Sequence, residues 1–303
     1  MNSGILLVDK PHGITSHDVV ARTRRLAGTR KIGHAGTLDP MATGLLVLGV
    51  ESATRLLTYL VGLDKEYLAT IRLGWDTTTD DAEGEPLPAA PRERLAAASE
   101  QAIREGMLRL TGAIEQVPSA VSAIKVAGKR AYQRVRDGES VELAARTVTV
   151  SAFELLALRD ADGALDLDVR VDCSSGTYVR ALARDLGAAL GTGGHLTALR
   201  RTRIGAFHVD DAVPLDELDV AASLMRPSDA ARRTLPVARL TPQHAVDLGH
   251  GKRIEASDVD GADVAPGIVL AAIDPDDRLV AIVERRGSTL KVVTGFPREE
   301  ASA

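Results

Sequence analysis

The chain of 303 residues carries 37 basic and 42 acidic side chains, a formal net charge of −5, and 45% of its residues are hydrophobic. This length allows one large domain and a smaller one. The single cysteine, Cys173, excludes internal disulfides and cysteine-rich zinc sites, and we expect it to be a small buried hydrophobe in a reducing cytoplasm. Because the start lacks a signal-peptide pattern and no run of about 18 apolar residues occurs, we expect no membrane segment.

The first predicted elements are a strand and a capped helix. Residues 4–8 are mostly apolar, and Pro11 ends the strand because proline cannot donate a ladder hydrogen bond. Thr15 and Asp18 have the spacing of a capping box, and Gly28 ends the apolar periodicity that follows. The sequence therefore predicts a helix between residues 15 and 28.

The segment 33–44, GHAGTLDPMATG, places one carboxylate on a glycine-rich loop. Pro40 favours an extended conformation of Asp39, and the apolar run 45–50 predicts a buried strand directly afterwards. A plain Asp-Pro turn and a reaction centre both explain this pattern, and the residues alone leave both open. A phosphate-binding loop is disfavoured, because no Gly-Lys-Ser/Thr follows.

The later elements follow from periodicity. Alternating apolar residues predict strands, and a long amphipathic pattern predicts one helix; the segments are strands 67–73, 146–158 and 165–173 and helix 92–111. The acidic segment 76–83 lacks the glycine of an EF-hand, so we predict a simple loop. Near the end, three apolar runs joined by turn signals predict a small β domain; they are 268–273, 279–283 and 290–295.

Basic residues are concentrated in three segments. Residues 22–31, 125–136 and 200–203 contain 13 of the 37 basic side chains and none of the 42 acidic ones. Such segregation on an acidic chain is typical of an electrostatic surface for nucleic acid, although solvated helix faces explain any one segment equally well. Lys129, Arg130 and Tyr132 together could pair with phosphate and stack on bases.

Several of these segments closely resemble motifs of the bacterial tRNA pseudouridine-55 synthases, the TruB family. Residues 33–44 resemble its catalytic motif, and the resemblance extends from about Ile5 to Phe207. The other matching blocks are Asp9-Lys10-Pro11, Lys65-Glu66-Tyr67, Gln116 to Tyr132, Cys173 to Gly187 and His195 to Arg203. The position of the C-terminal β domain resembles that of the PUA-like RNA-binding module of the family.

The resemblance implies a role for individual residues. Asp39 is the catalytic aspartate, Arg180 pairs with it, and Tyr67 and Tyr178 lie against the target base. The implied RNA-contacting residues are His34, which wedges into the RNA loop, Leu199, which supports the pocket, and Lys10, Lys129 and Arg130. Without the resemblance, Tyr67 is better explained as a core aromatic and Arg180 as a surface residue. His195 is taken as structural.

The resemblance also implies an overall organisation. We expect an α+β, pseudouridine-synthase-like catalytic core with a central mixed, mostly antiparallel sheet at 1–235, an RNA-binding insertion at about 115–143, and a small β-rich PUA-like domain at 236–303. The implied function is isomerisation of uridine 55 in the T arm of tRNA to pseudouridine, with an aspartate nucleophile, base flipping, no metal and no cofactor. Alternatives are a guide-RNA-dependent relative and a tRNA-folding chaperone whose catalysis is dispensable. We expect a monomer whose partner is tRNA, with no obligate protein partner.

Overall fold

The structure is a computed structural model, and it describes residues 2–119, 125–126, 129–130 and 144–298. Its strands, β1 to β17, are Gly4–Lys10, Ile32–His34, Thr43–Val50, Lys65–Leu73, Gly112–Gln116, Lys125–Val126, Lys129–Arg130, Arg146–Ala161, Ala164–Cys173, Gly194–Ile204, Phe207–His208, Val213–Pro214, Val237–Arg239, Ile254–Glu255, Val269–Ile273, Leu279–Arg286 and Thr289–Gly295. Its helices, α1 to α8, are Ser16–Ala27, Leu57–Leu60, Arg92–Ala97, Glu100–Arg109, Val179–Leu190, Val220–Ser223, Pro227–Arg232 and Pro242–Gly249. Short 3-10 helices are Glu51–Leu56, Val209–Asp211, Leu215–Glu217 and Ala256–Asp258. Within the described part of the chain, no helix has both the length and the apolar character that a membrane span needs.

The first of two compact units comprises the described residues of 1–40, 44–61 and 205–303. In it, β3 pairs antiparallel with β1 and with β2, and β12 adds a short parallel pairing to β1. Helix α1 has the predicted capping box at Thr15 and Asp18, and it ends at Gly28 with a left-handed φ of 63°. Its apolar face, with Val19 and Val20, lies in one buried cluster with side chains of β1 and β3.

The C-terminal part of this unit is a separate five-stranded sheet in the order β13-β15-β16-β17-β14. The two predicted turns join β15 to β16 and β16 to β17, and both use left-handed residues, Asp277 and Gly287. Fourteen buried residues between Ala238 and Leu290 form one hydrophobic cluster. The expected C-terminal β domain is therefore present.

The second unit comprises the described residues of 41–43 and 62–204. Five strands pair antiparallel in the order β10-β4-β9-β8-β5. Strand β4 buries Tyr67, Ala69, Ile71 and Leu73, as the alternating pattern predicts. Helix α5 comes very close to the start of β10, since a Cβ at Gly187 would lie 2.3 Å from the carbonyl carbon of Gly193.

The pairings and the C-terminal sheet confirm the α+β class with mostly antiparallel strands. The prediction of one helix over 92–111 is wrong, because the chain forms α3 and α4 with a break between them. Ala98 leaves the helical region at ψ 63°, and the Ser99 hydroxyl caps α4 by accepting the Ala102 N–H at 3.2 Å. The local capping preference of Ser99 thus outweighs the continuous amphipathic pattern.

Candidate active site

The loop that carries Asp39 is fixed on both sides of the aspartate. The N–H of Leu38 donates to Ser16 Oγ at 2.8 Å, and Ser16 Oγ donates back to the Leu38 carbonyl at 3.0 Å. On the other side, the Pro40 carbonyl accepts the Gly13 N–H at 2.8 Å and Lys10 Nζ at 3.2 Å. Asp39 itself is half-buried. The loop therefore presents this carboxylate from a backbone that the neighbouring segment holds in place.

Lys10 and His34 lie in the same unit as Asp39. Lys10 is fully buried, and its ammonium also donates to the carbonyls of Pro11 at 2.8 Å and Ile14 at 2.7 Å. These contacts organise the chain around Asp39, while contact of Lys10 with substrate stays a prediction. His34 ends β2 with its ring centroid 5.6 Å from that of His17, in an edge-on arrangement.

Tyr67 and Leu199 lie on neighbouring strands of the second unit. Tyr67 is opposite Arg201, and Leu199 is opposite Ala69, two residues farther along β4. Because side chains two residues apart share a sheet face, Tyr67 and Leu199 are diagonal neighbours on one face. Each is 8% exposed. The strand pairing thus brings together Tyr67 and Leu199, which are 132 positions apart in the sequence.

Arg180 lies in the first turn of α5 and is 4% exposed, so the surface interpretation is wrong. Its Nη1 donates to the carbonyl of Thr79 at 3.0 Å and lies 3.2 Å from Asp81 Oδ2. Asp81 is 2% exposed and also accepts the N–H of Glu83 at 3.1 Å and the hydroxyl of Thr79. A buried carboxylate of the segment 76–83, that of Asp81, therefore holds the guanidinium.

Sequence reasoning missed Asp81, which holds the predicted site residue Arg180. Residues 76–83 do form a loop, as predicted, but the loop is fastened to the start of β10. Asp76 accepts the N–H of Gly194 at 2.8 Å, and the carbonyl of Asp80 accepts the N–H of Leu196 at 3.0 Å. His195 Nδ1 lies 2.9 Å from the carbonyl oxygen of Trp75, consistent with its expected structural role.

Lys65 begins β4 two residues before Tyr67 and is 6% exposed. Burial lowers the pKa of its ammonium to about 8, and Nζ donates to the Leu63 carbonyl at 2.6 Å. Cys173 lies opposite Lys65 on β9, and burial raises the pKa of its thiol to about 11. The expectation that Cys173 is a small buried residue is confirmed.

The predicted RNA-binding insertion is described only in part. Strands β6 and β7 pair antiparallel, with Lys125 opposite Arg130 and Val126 opposite Lys129. The side chains of Lys129 and Arg130, and residues 120–124, 127–128 and 131–143, lie outside the described part. Their contact with RNA stays a prediction.

Comparisons with known proteins agree with the motifs. Residues 24–179 match the N-terminal domain of the TruB family pseudouridylate synthases, residues 180–240 the tRNA pseudouridylate synthase B C-terminal domain, and residues 235–297 the C-terminal domain of tRNA pseudouridine synthase II. The chain belongs to the TruB family. It is 60% identical to "tRNA pseudouridine synthase B" of Leifsonia xyli over 99% of this chain and 98% of that one, and 55% identical to the Arthrobacter protein of the same name over 98% and 97%.

Solved structures share the fold of this TruB family member. One is an H/ACA ribonucleoprotein bound to a substrate RNA containing 2′-deoxyuridine, with a TM-score of 0.72 and 25% identity over 97% of this chain and 85% of that one. Another is a Cbf5-Nop10-Gar1 complex, with a TM-score of 0.73 and 26% identity over 96% and 84%.

Proposed function

We propose that this TruB family member isomerises uridine 55 in the T arm of tRNA to pseudouridine. The observation that carries the proposal is the 60% identity, over nearly the whole of both chains, to a relative named for this class of reaction. The geometry supports it, because Asp39 of the family motif lies on a loop held at both neighbouring residues. The partner is tRNA, and we propose a cytoplasmic monomer with no obligate protein partner.

The reaction breaks the bond between uracil N1 and ribose C1′, rotates the base, and joins C5 to C1′; the C5 proton leaves, and N1 takes up a proton. Atoms and electrons balance without a redox cofactor or an energy source. What the reaction needs is an ionised carboxylate near C1′, a nucleotide turned out of its stack, and surfaces that hold the detached base. Asp39 would supply the carboxylate, and Tyr67, Tyr178 and Leu199 would hold the base.

Arg180 would keep Asp39 charged when the flipped base excludes water. Desolvation raises the pKa of a carboxylate, and a nearby guanidinium lowers it. Asp81 and the Thr79 carbonyl hold one nitrogen of Arg180 within 3.2 Å, which fixes the direction of the planar group. We propose that the same guanidinium pairs with Asp39.

The runner-up, a synthase that depends on a guide RNA, has less support. The likeness to the H/ACA ribonucleoprotein is 25% identity, whereas that to a tRNA pseudouridine synthase B is 60%. Folding of tRNA by binding alone could coexist with catalysis, and the test below separates the two.

The test is pseudouridine mapping on an unmodified tRNA transcript with wild type, Asp39→Asn and the exposed control Asp210→Asn. We expect wild type and Asp210→Asn to modify position 55, and Asp39→Asn to bind tRNA without modifying it. Turnover by Asp39→Asn, purified from a host that lacks its own synthase, would overturn the mechanism. Modification at another position would overturn the assigned site on tRNA.

A further inference from the structure

We infer that Gln116 is a positioning residue that sets the main chain of Tyr178 and, through it, the first turn of the helix that carries Arg180. The inference deepens the proposed function and rests on it. Gln116 is the last residue of β5 and lies at the start of the predicted RNA-binding insertion. Gln116 and Tyr178 are 62 positions apart in the sequence, yet both polar atoms of the Gln116 side-chain amide bond the main chain of Tyr178.

The contact is a two-point clamp. Gln116 Nε2 donates to the Tyr178 carbonyl at 3.1 Å, and the Tyr178 N–H donates to Gln116 Oε1 at 2.8 Å. Gln116 is 1% exposed, so water does not compete for these hydrogen bonds. A side-chain amide is the group in proteins that offers a donor and an acceptor in one plane, as a paired strand residue would.

The clamped residue is the one from which α5 begins. Tyr178 has extended backbone angles, φ −103° and ψ 106°, and has no side-chain capping bond. Its carbonyl also accepts the Leu182 N–H at 3.2 Å, the first bond of the helix. Gln116 therefore fixes the position where the chain changes from extended to helical. Arg180 follows two residues later and reaches Asp81.

Val117, the residue after Gln116, is hydrogen-bonded to the same helix. Arg184, one turn beyond Arg180, donates from Nη2 to the Val117 carbonyl at 2.8 Å, and its Nη1 lies 3.3 Å from Asp80 Oδ2. Asp185 also lies 2.8 Å from Nη2. The two consecutive residues Gln116 and Val117 thus bind α5 on both sides of Arg180. Such a link transmits a displacement of β5 directly to Tyr178 and Arg180.

Chemistry sets the expected size of the effect. Tyr178 and Arg180 act on the base and on Asp39 in the proposed reaction, and a displacement of about 1 Å at such groups reduces a rate by as much as about 100-fold. Binding of tRNA depends mainly on phosphate contacts spread over the surface, which Gln116 does not make while it is buried. A positioning role therefore predicts a loss in kcat with little change in KM.

The test compares Gln116→Met, which keeps the length but removes both hydrogen bonds, with Gln116→Glu, which keeps the shape. Matched controls are Gln101→Met and Gln101→Glu, the same two substitutions on the exposed face of α4. Single-turnover pseudouridine formation at saturating tRNA transcript, KM and melting temperature are measured for each. We expect Gln116→Met to lose about 10- to 100-fold in the single-turnover rate with KM within about twofold, and both controls to match wild type.

Gln116→Glu adds a readout that a merely structural role would not move. Its ionised carboxylate can accept from the Tyr178 N–H but cannot donate to the carbonyl, whereas the protonated acid can do both. Because burial raises the pKa of a carboxyl, its rate relative to wild type should rise as pH is lowered below neutral. If Gln116→Met does not fold, this pH profile decides the question.

The outcomes are distinct from failure of the proposed function. If wild type forms no pseudouridine, the proposed function fails. If wild type is active and folded Gln116→Met keeps the wild-type single-turnover rate, or loses only affinity, the positioning role is overturned. A ratio of Gln116→Glu to wild type that stays constant over the pH range in which the carboxyl of the variant is observed to titrate overturns it as well.

Discussion

The ion pair of Arg180 and Asp81 shows how a buried charge is made tolerable. Both side chains are almost fully buried, and each has hydrogen bonds in addition to the other, to the Thr79 carbonyl and to the Glu83 N–H. A buried pair contributes little net stability compared with apolar residues, but removal of one partner leaves an uncompensated charge. In the proposed function, the pair therefore serves to orient Arg180 and adds little net stability.

This predicts opposite behaviour of stability and activity in a double-mutant cycle. Arg180→Ala leaves the Asp81 carboxylate buried without its cation and should lower the free energy of unfolding by about 3–5 kcal/mol. Adding Asp81→Asn removes the charge and should restore much of that stability but none of the pseudouridine activity. Urea unfolding and tRNA modification assays measure both. Additive losses of stability in the double mutant would contradict the argument.

The pKa of Lys65 predicts a pH dependence of stability. Its pKa is about 8 in the folded chain against 10.5 for the free side chain, because burial disfavours the ammonium. The unfolded chain thus binds more protons between about pH 8 and 10.5, so this group makes folding less favourable below pH 8, and that penalty disappears as pH rises to 10.5. The full size of this penalty is on the order of 3 kcal/mol. A variant without the amine would also lose the hydrogen bond to the Leu63 carbonyl, which contributes about 1 kcal/mol.

The matched variant is Lys65→Met. At pH 7 it should be more stable than wild type by about 2 kcal/mol, and the difference should shrink as pH is raised through 8 toward 10.5. Urea unfolding of both proteins at several pH values gives this difference free of other titrating groups. A difference that does not change over this pH range would show that Lys65 stays charged in the folded chain.

The sequence predicted some site residues and missed others for physical reasons. Asp39 could be recognised because its neighbours in sequence, including Pro40 and the glycines, carry the motif. Asp81 could not, because its importance depends on a contact with Arg180, 99 residues away, and nothing local distinguishes it from Asp80. A missed signal for the helix break was the Ser99 side chain, whose capping preference is local.

Among the elements, α1 is hydrogen-bonded to the loop that carries Asp39, so the position of the helix affects that of the proposed catalytic aspartate. Thr15 and Ser16 are adjacent at the start of α1, but their side chains form hydrogen bonds with different parts of the chain. Thr15 caps the helix through the Asp18 N–H at 3.1 Å, while Ser16 bonds both the N–H and the carbonyl of Leu38. Ser16 is fully buried, and Thr15 is exposed.

We therefore predict that Ser16→Ala and Thr15→Ala separate stability from activity. Thr15→Ala should reduce the free energy of unfolding by about 1 kcal/mol through loss of the cap, with kcat unchanged. Ser16→Ala leaves the N–H and the carbonyl of Leu38 buried and unsatisfied, so this variant should reduce the free energy of unfolding by about 1–3 kcal/mol. Because Asp39 is the next residue, the variant should also lower kcat at least about tenfold. Equal kcat values for the two variants would mean that the loop does not depend on Ser16.

Periodicity predicted the strands but not their order in the sheet. The alternation in β4 was correct because one face is buried whatever the partners are. The order β10-β4-β9-β8-β5 could not be derived, because β10 lies more than 120 residues after β4 in the chain and no local pattern encodes that pairing.

For the molecule as a whole, only some of the side chains in the three basic segments are available to contact RNA. In the segment 200–203, Arg201 is 1% exposed, and Arg203 lies 2.6 Å from Asp172. In the segment 22–31, Arg24 donates to the Ile32 carbonyl at 2.8 Å, and Arg22 is paired with Asp216. Counting basic residues in the sequence overestimates the surface available to RNA, because several of these side chains are buried or bonded to other groups of the protein. The expectation of an RNA surface therefore depends most on segment 125–136, whose side chains are outside the described part.

The C-terminal sheet has its own hydrophobic cluster, and it belongs to the same compact unit as residues 1–40 and 44–61. Its strands begin with β13 at Val237, and the Pro236 carbonyl accepts the Ala271 N–H at 2.9 Å, so a truncation that preserves whole elements ends at Leu235. Within the first unit, the sheet is also joined to the segment after β3, because Tyr59 Oη lies 2.7 Å from Thr294 Oγ1 and Arg55 donates to the Gly295 carbonyl.

Truncation after Leu235 should raise the KM for tRNA by at least about tenfold and lower kcat by no more than about threefold, since none of the proposed catalytic residues is removed and a lost phosphate-binding surface weakens binding uniformly. Tyr59→Phe is the control for the loss of attachment, since it removes the hydroxyl contact to Thr294 and keeps the sheet; we expect its KM to stay near that of wild type. Steady-state kinetics at several salt concentrations measure both, and the salt dependence of KM should be weaker for the truncated chain. Complete loss of turnover at saturating tRNA by a folded truncated chain would show that the C-terminal sheet is required for the chemical step, and an unchanged KM would show that it does not bind RNA.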